Sequence, residues 1–278
     1  MGAVLALGRL PEGDFALITA LHALSVMSFM CSWNALNDYL DLEIDLINRP
    51  DRPLPSDTIS KSSAKRAIVL MSVLSVLSIA GAGVIASGLE EGIEGWYPAP
   101  VIWAGALLLL MNYESTSPIS FRLKERGLPG NFAISLSVGM VVLFGAAGVY
   151  QPFHPRAWTV FLVGFLYNLA REIVKDVEDI AGDRAMGAHT LAIDLGARRA
   201  AGLAAVVYLL LVAATVVPWS HGLYGWGYLV PVAILDLLVV AVMARLLRSP
   251  EPEGHELSRT LTGGMALGLL AIVLGEFQ

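Results

Sequence analysis

The stretch Asn34-Ala35-Leu36-Asn37-Asp38-Tyr39-Leu40-Asp41-Leu42-Glu43-Ile44-Asp45 decides how this chain is read. It closes a long apolar run, where a carboxylate is costly. Asn34, Asp38, Asp41 and Asp45 stand at offsets 0, 4, 7 and 11, which fall along one face of a helix. Glu172, Asp176, Asp179 and Asp183 repeat that spacing 138 residues later, about half the chain away. A single acid at a helix end is ordinarily solvated and paired with a nearby arginine. A four-residue stripe that recurs at identical spacing asks for a function. Two such stripes suit a hard cation such as Mg2+, which prefers oxygen ligands and takes the remainder from substrate phosphates.

Composition puts these stripes in a membrane. Of 278 residues, 56% are hydrophobic and 15% charged, with a mean hydropathy of +0.66. Soluble domains are about half apolar and about a quarter charged. Eight apolar runs are long enough to cross a bilayer, near 14–36, 66–89, 98–114, 130–150, 156–172, 198–218, 226–247 and 258–277. The fold expected is an all-α bundle of eight transmembrane helices, a single domain over 1–278, with two polar loops capping a site. A net charge of -6 argues against nucleic acid as a partner. The one cysteine, Cys31, rules out a disulfide within the chain and reads as a small buried hydrophobe. No signal peptide is visible at the start.

Charge sorts the loops. Of the 18 Lys and Arg residues, only Arg9 and Arg156 fall on one side of the membrane. The rest share a side with both acidic stripes, and the positive-inside rule makes that side cytoplasmic. The two stripes each end a membrane helix and open a polar loop, which suggests two related halves with a site between them. Met1 to Leu10 reads as the end of a helix whose beginning is absent, so the natural chain is expected to start upstream or to lack a first helix.

Asn37-Asp38-x-x-Asp41-x-x-x-Asp45, followed by Asn48-Arg49-Pro50-x-Arg52-Pro53-Leu54-Pro55-Ser56, resembles the first signature of the UbiA-type intramembrane prenyltransferases. Arg171-Glu172, then Lys175-Asp176-x-x-Asp179-x-x-x-Asp183, resembles the second. Lys124 with Gly130-Asn131 is similar to the family's basic loop, and helix count and loop placement extend the resemblance over nearly the whole chain, although the family has nine helices. The resemblance implies Mg2+-dependent transfer from a prenyl diphosphate to a lipid-like or aromatic acceptor. Asn34, Asp38, Asp41, Asp45, Glu172, Asp176, Asp179 and Asp183 are the expected metal ligands, and Asp38, Asp179 and Lys175 the expected catalytic groups. Lys124, Arg122, Lys175 and Arg49 are expected to grip the diphosphate. Asn37, Tyr39, Arg52, Tyr113, Ser117 and Tyr167 are weaker candidates for lining the substrate, the tyrosines because an aromatic face steadies a carbocation. The runs 34–56 and 167–190 are most similar to the family branch that makes archaeal ether lipids. That branch implies geranylgeranyl diphosphate as donor and geranylgeranylglyceryl phosphate as acceptor, with 4-hydroxybenzoate as the alternative.

The physical chemistry agrees with the resemblance. A prenyl diphosphate has an apolar tail for the bilayer core and a charged head for its edge, where the stripes lie. Metal neutralises the leaving group, and shelter from water protects an allylic cation. A divalent-cation transporter is the rival from another class, but transporter sites lie near the midplane on broken helices. A phosphatidyltransferase lacks its Asp-Gly-x-x-Ala-Arg run here. Asp236, within an apolar run, is a functional candidate by position, although no motif partner is visible and a locally satisfied structural acid is an equal reading. His22 and His189 lack metal-ligand spacing.

Overall fold

The computed structural model describes residues 1–48, 50–114, 120–185, 187, 189–249 and 256–276. It is all-α, with no strand among the described residues, and eight of its helical stretches are long and apolar enough to cross a membrane. The first half contains α1 (Gly2–Leu7), α2 (Gly13–Leu40), α3 (Leu42–Asn48), α4 (Lys61–Ser87), α5 (Gly92–Trp96), α6 (Pro98–Glu114) and α7 (Leu128–Ala147). The second contains α8 (Pro155–Ala185), α9 (Leu191–Leu195), α10 (Ala197–Ser220), α11 (Trp226–Arg248) and α12 (Glu256–Glu276). Each motif helix is followed by a short helix, α3 or α9, before the chain recrosses the membrane. The sequence echo therefore has a structural counterpart.

Most helix boundaries agree with the apolar runs, with one informative difference. The fifth run stops at 172 by hydropathy, but α8 continues to Ala185 and carries the whole second stripe on unbroken helix. The first stripe is not on unbroken helix. α2 ends at Leu40, Asp41 caps it, and α3 restarts at Leu42.

Within a bilayer, apolar burial does little to hold helices together, so small residues and interhelical hydrogen bonds matter more. The α2–α4 pair follows this rule. Ser25 and Ser75 share a hydroxyl hydrogen bond at 3.0 Å, Ser32 and Ser72 another at 2.7 Å, and Ser32 also donates to the Ile68 carbonyl. Gly83 lets the Trp96 ring lie on α4. In the second half, α8, α10, α11 and α12 bury a continuous core from Tyr167 to Leu261, including Ile173, Tyr208, Leu211, Val239 and Leu246.

His22 is buried, stacked on Phe144 at 4.1 Å, and accepts from Trp96 Nε1 at 3.1 Å, so it has a packing role. Asp236 is only half satisfied: its Oδ2 lies 2.9 Å from the Thr215 hydroxyl, while its Oδ1 is buried without a hydrogen-bond partner. Cys31 departs from expectation: it is exposed on the outer surface of α2. On a membrane helix that face meets lipid, which accepts a small apolar side chain as readily as a core does. The short α1 packs its Gly2 edge directly on the α7 backbone at Val142 and Ala146.

Candidate active site

The polar ends of α2, α6, α7 and α8 meet at one edge of the bundle. In the first stripe, Arg52 returns from the loop and donates through Nη1 to Asp45 Oδ2 at 2.6 Å and Asp38 Oδ1 at 3.0 Å. Asp41 turns instead to Lys124, whose Nζ lies 3.2 Å from its Oδ2. The break at Asp41 thus divides the stripe between two cations.

Lys124 sits in a one-turn 3-10 helix, Leu123–Glu125, and uses all three of its protons. It donates to Glu114 Oε1 at 2.8 Å, to Asp41, and to Asn37 Oδ1 at 3.2 Å. Burial alone lowers the pKa of this ammonium, but Glu114 and Asp41 outweigh it and hold the pKa above the ordinary lysine value. Glycine makes the placement possible. A Cβ on Gly130 would overlap the Leu123 carbonyl oxygen, so only glycine lets this turn fold back onto the start of α7. Gly127, at φ 54, adopts a left-handed backbone that favours glycine, and its bare α-carbon accepts the close approach of Leu191.

The same short segment reaches the second stripe. Asn131, buried near the start of α7, donates to Asp176 Oδ2 at 2.8 Å. Behind it, Ser135 donates to the Asn131 carbonyl and accepts from Asn168. Lys124 and Asn131 therefore connect the two stripes across seven residues of chain. Tyr113 lies between the stripes, within the electrostatic reach of Glu172 and Asp176 on one side and Glu114 and Asp41 on the other.

Other expected residues divide clearly. Glu172 accepts from Arg171 Nη1 at 2.6 Å, with Lys175 Nζ 4.0 Å away. Asp179 lies close enough to Asp183 for each to feel the other's charge. Arg122 is exposed and left-handed at φ 49. Tyr39 packs with Leu42, Leu54 and Ala64 beneath the Lys65 ammonium, which makes it a loop anchor. Tyr167 is buried, with its hydroxyl on the Leu261 carbonyl at 2.6 Å, so it faces α12. Arg49 and Ser117 lie outside the described residues. Glu114 had no role from the sequence. Its signal was an acid ending an apolar helix just ahead of a basic loop.

Asn34 lies on the wall of an apolar cavity of about 360 Å3 between α2, α6 and α7. Phe29, Trp33, Trp103, Leu110 and Phe144 contribute further wall, and Phe29 stacks on Trp33 at 5.8 Å. Met30, Val138 and Val141 on its rim are exposed, so it opens sideways toward lipid.

Among the described residues no three His, Cys, Asp or Glu side chains converge as a ready metal site. The donor chemistry nonetheless fits Mg2+. Every stripe member offers oxygen, and Arg52 and Lys124 each draw two carboxylates together as a cation would.

Acidic stripes at the membrane edge beside a lipid-open apolar cavity suit a substrate with a charged head and an apolar tail. Residues 1–273 match the model of the UbiA prenyltransferase family, and the chain belongs to that family. It is 36% identical over 267 residues to the digeranylgeranylglyceryl phosphate synthase of Methanopyrus kandleri, covering 96% of this chain and 90% of that one. The enzyme of the same name from Thermococcus kodakarensis is 33% identical, covering 99% and 91%. A solved structure described as digeranylgeranylglyceryl phosphate synthase in membranes superposes with a TM-score of 0.73 at 29% identity, covering 99% of this chain and 90% of that chain. A UbiA homologue from Archaeoglobus fulgidus bound to GPP and Mg2+ shares the fold, with a TM-score of 0.61 at 16% identity and coverage of 99% and 93%. The transporter reading falls with the family assignment.

Proposed function

We propose that this chain, acting as one domain over 1–278, transfers a geranylgeranyl group from geranylgeranyl diphosphate to the free hydroxyl of geranylgeranylglyceryl phosphate. The product is a dialkyl ether, with diphosphate released. The observation that carries the reading is the Lys124–Asn131 segment, which contacts both acidic stripes next to an apolar cavity open to lipid. The acceptor is assigned from the similarity to digeranylgeranylglyceryl phosphate synthases over almost the full chain.

The tail lies in the cavity beside Phe29, Trp33 and Trp103. Each buried methylene contributes about 0.8 kcal/mol, so tail burial anchors the donor firmly. The head rests between the stripes. Asp38, Asp41 and Asp45, with Glu172, Asp176, Asp179 and Asp183, are the groups that hold Mg2+, and Asn34 stands at the junction of head and tail. When bound there, Mg2+ would supply the positive charge that compensates the departing diphosphate. Lys124, Arg122 and Lys175 supply further positive charge, as does Arg49. As the bond from carbon 1 to the diphosphate oxygen breaks, the acceptor oxygen bonds to carbon 1 and its proton passes to a second-stripe carboxylate or to the departing diphosphate. The apolar walls exclude water, which would otherwise capture the allyl cation. The excess of Lys and Arg in the loops at this edge supports a cytoplasmic orientation.

The test is an acceptor screen with purified protein, Mg2+ and labelled geranylgeranyl diphosphate. Label is expected in the glycerol phosphate ether, clearly faster than in 4-hydroxybenzoate. Faster labelling of the aromatic acid overturns the acceptor assignment.

A further inference from the structure

Helix α12 carries none of the stripe residues, yet hydrogen bonds tie it to α8 along its length: besides Arg156 to Glu276 and Tyr167 to the Leu261 carbonyl, two contacts lie beside the second stripe. Glu178, buried between stripe positions Asp176 and Asp179, reaches the start of α12. Its Oε1 accepts from the backbone N–H groups of Leu257 at 2.7 Å and Ser258 at 3.3 Å, and its Oε2 accepts from Ser258 at 3.2 Å. The first N–H groups of a helix have no partner within it, and the helix dipole favours an anion there. Glu178 therefore sets where α12 begins relative to the second stripe.

From that anchored start, Thr262 lies about one turn beyond Ser258. Its hydroxyl donates to the Ser258 carbonyl at 2.8 Å, which commits its single proton and leaves the oxygen to accept from Arg171 Nε at 2.9 Å. Arg171 in turn donates through Nη1 to Glu172 Oε1 at 2.6 Å. Neighbours in sequence do not face each other on a helix. The Arg171–Glu172 contact therefore requires the guanidinium to be bent back across α8, and Thr262 holds its other edge in that pose.

We infer that Thr262 and Glu178 are positioning residues for the transfer reaction: α12, pinned by Glu178, presents Thr262 to Arg171, which orients Glu172 in the second stripe. The inference rests on the proposed role of Glu172 in holding the metal-bound diphosphate.

The test uses full-length protein in detergent or nanodiscs. Thr262→Val is nearly isosteric and removes the hydroxyl, both the acceptor for Arg171 and the donor to the Ser258 carbonyl; Thr262→Ser restores both. Thr262→Val is expected to weaken binding of a non-reacting geranylgeranyl diphosphate analogue about tenfold, to raise the Mg2+ concentration for half-maximal binding, and to leave the melting temperature near that of the parent. Thr262→Ser is expected to recover both binding values. Glu178→Gln, which keeps an acceptor oxygen but drops the charge, is expected to move them the same way by a smaller factor. Parent-like analogue binding and Mg2+ dependence in Thr262→Val overturn the inference, as does a Thr262→Ser variant that is no better than valine. Glu172→Ala separates the two levels. If it retains full activity, the role of Glu172 is wrong and the inference goes with it. If it is inactive while Thr262→Val behaves as the parent, only the relay is wrong.

Discussion

Replacing Lys124 with methionine tests the centre of the site. Methionine keeps much of the volume and removes the charge. Lys124 donates three hydrogen bonds, to Glu114, Asp41 and Asn37. At about 1.5 kcal/mol for each bond to or from a charged group, the low end of the range, the three sum to about 4.5 kcal/mol before screening. The lysine side chain is 39% exposed, so screening reduces this to about 2 kcal/mol. That corresponds to a fall in melting temperature of about 4–8 °C in the absence of Mg2+. Glu114, with only 6% of its side chain exposed, is left as a poorly solvated charge beside Asp41. Added Mg2+ is expected to recover more stability in the variant than in the parent, because a cation then substitutes for the lost ammonium. Binding of a non-reacting donor analogue is expected to weaken about tenfold to a hundredfold. The pH dependence has a definite sign. The folded pKa lies above the ordinary lysine value, so the lysine's contribution is fully present below that value and is lost as pH rises through the raised one. The stability difference between parent and variant is therefore flat from about pH 7 to about pH 9 and shrinks in stronger alkali. A Lys124→Met protein that melts with the parent and binds the analogue equally well refutes the reasoning.

Asp38→Ala and Asp179→Ala are each expected to lower turnover on the order of a hundredfold or more, with little loss of folding, because each removes a carboxylate that compensates charge in the transition state; two variants with near-parental rates would contradict the assignment. Gly130→Ala must push the Leu123–Glu125 turn away from α7, so it should displace Lys124 and weaken donor binding while the helices persist by circular dichroism. Asn131→Leu leaves Asp176 Oδ2 without its donor, and is expected to raise the Mg2+ requirement in a donor-binding titration. Ala106→Trp fills part of the tail cavity, so the KM for geranylgeranyl diphosphate should rise far more than the Mg2+ requirement.

Membrane residence, the eight crossings and the acidic stripes were legible in the chain because each depends on local pattern: length of apolar run, placement of basic residues, and side-chain spacing along a helix. Asp38, Asp41, Asp45 and Asp176 could be singled out for the same reason, whereas Lys124 was singled out by the resemblance to the family's basic loop. Tertiary structure decided how those residues divide. Equal spacing placed four oxygen-bearing side chains on one face, but the break at Asp41 sends two carboxylates to Arg52 and a third to Lys124. Tyr167 and Tyr39 stood beside the motifs in sequence, yet one binds the Leu261 carbonyl and the other packs under Lys65. Proximity along a helix does not say which way a ring points. Glu114, Glu178 and Thr262 carried no motif at all. Their partners lie 10, 79 and 91 residues away, and that pairing exists only once helices from different parts of the chain have packed.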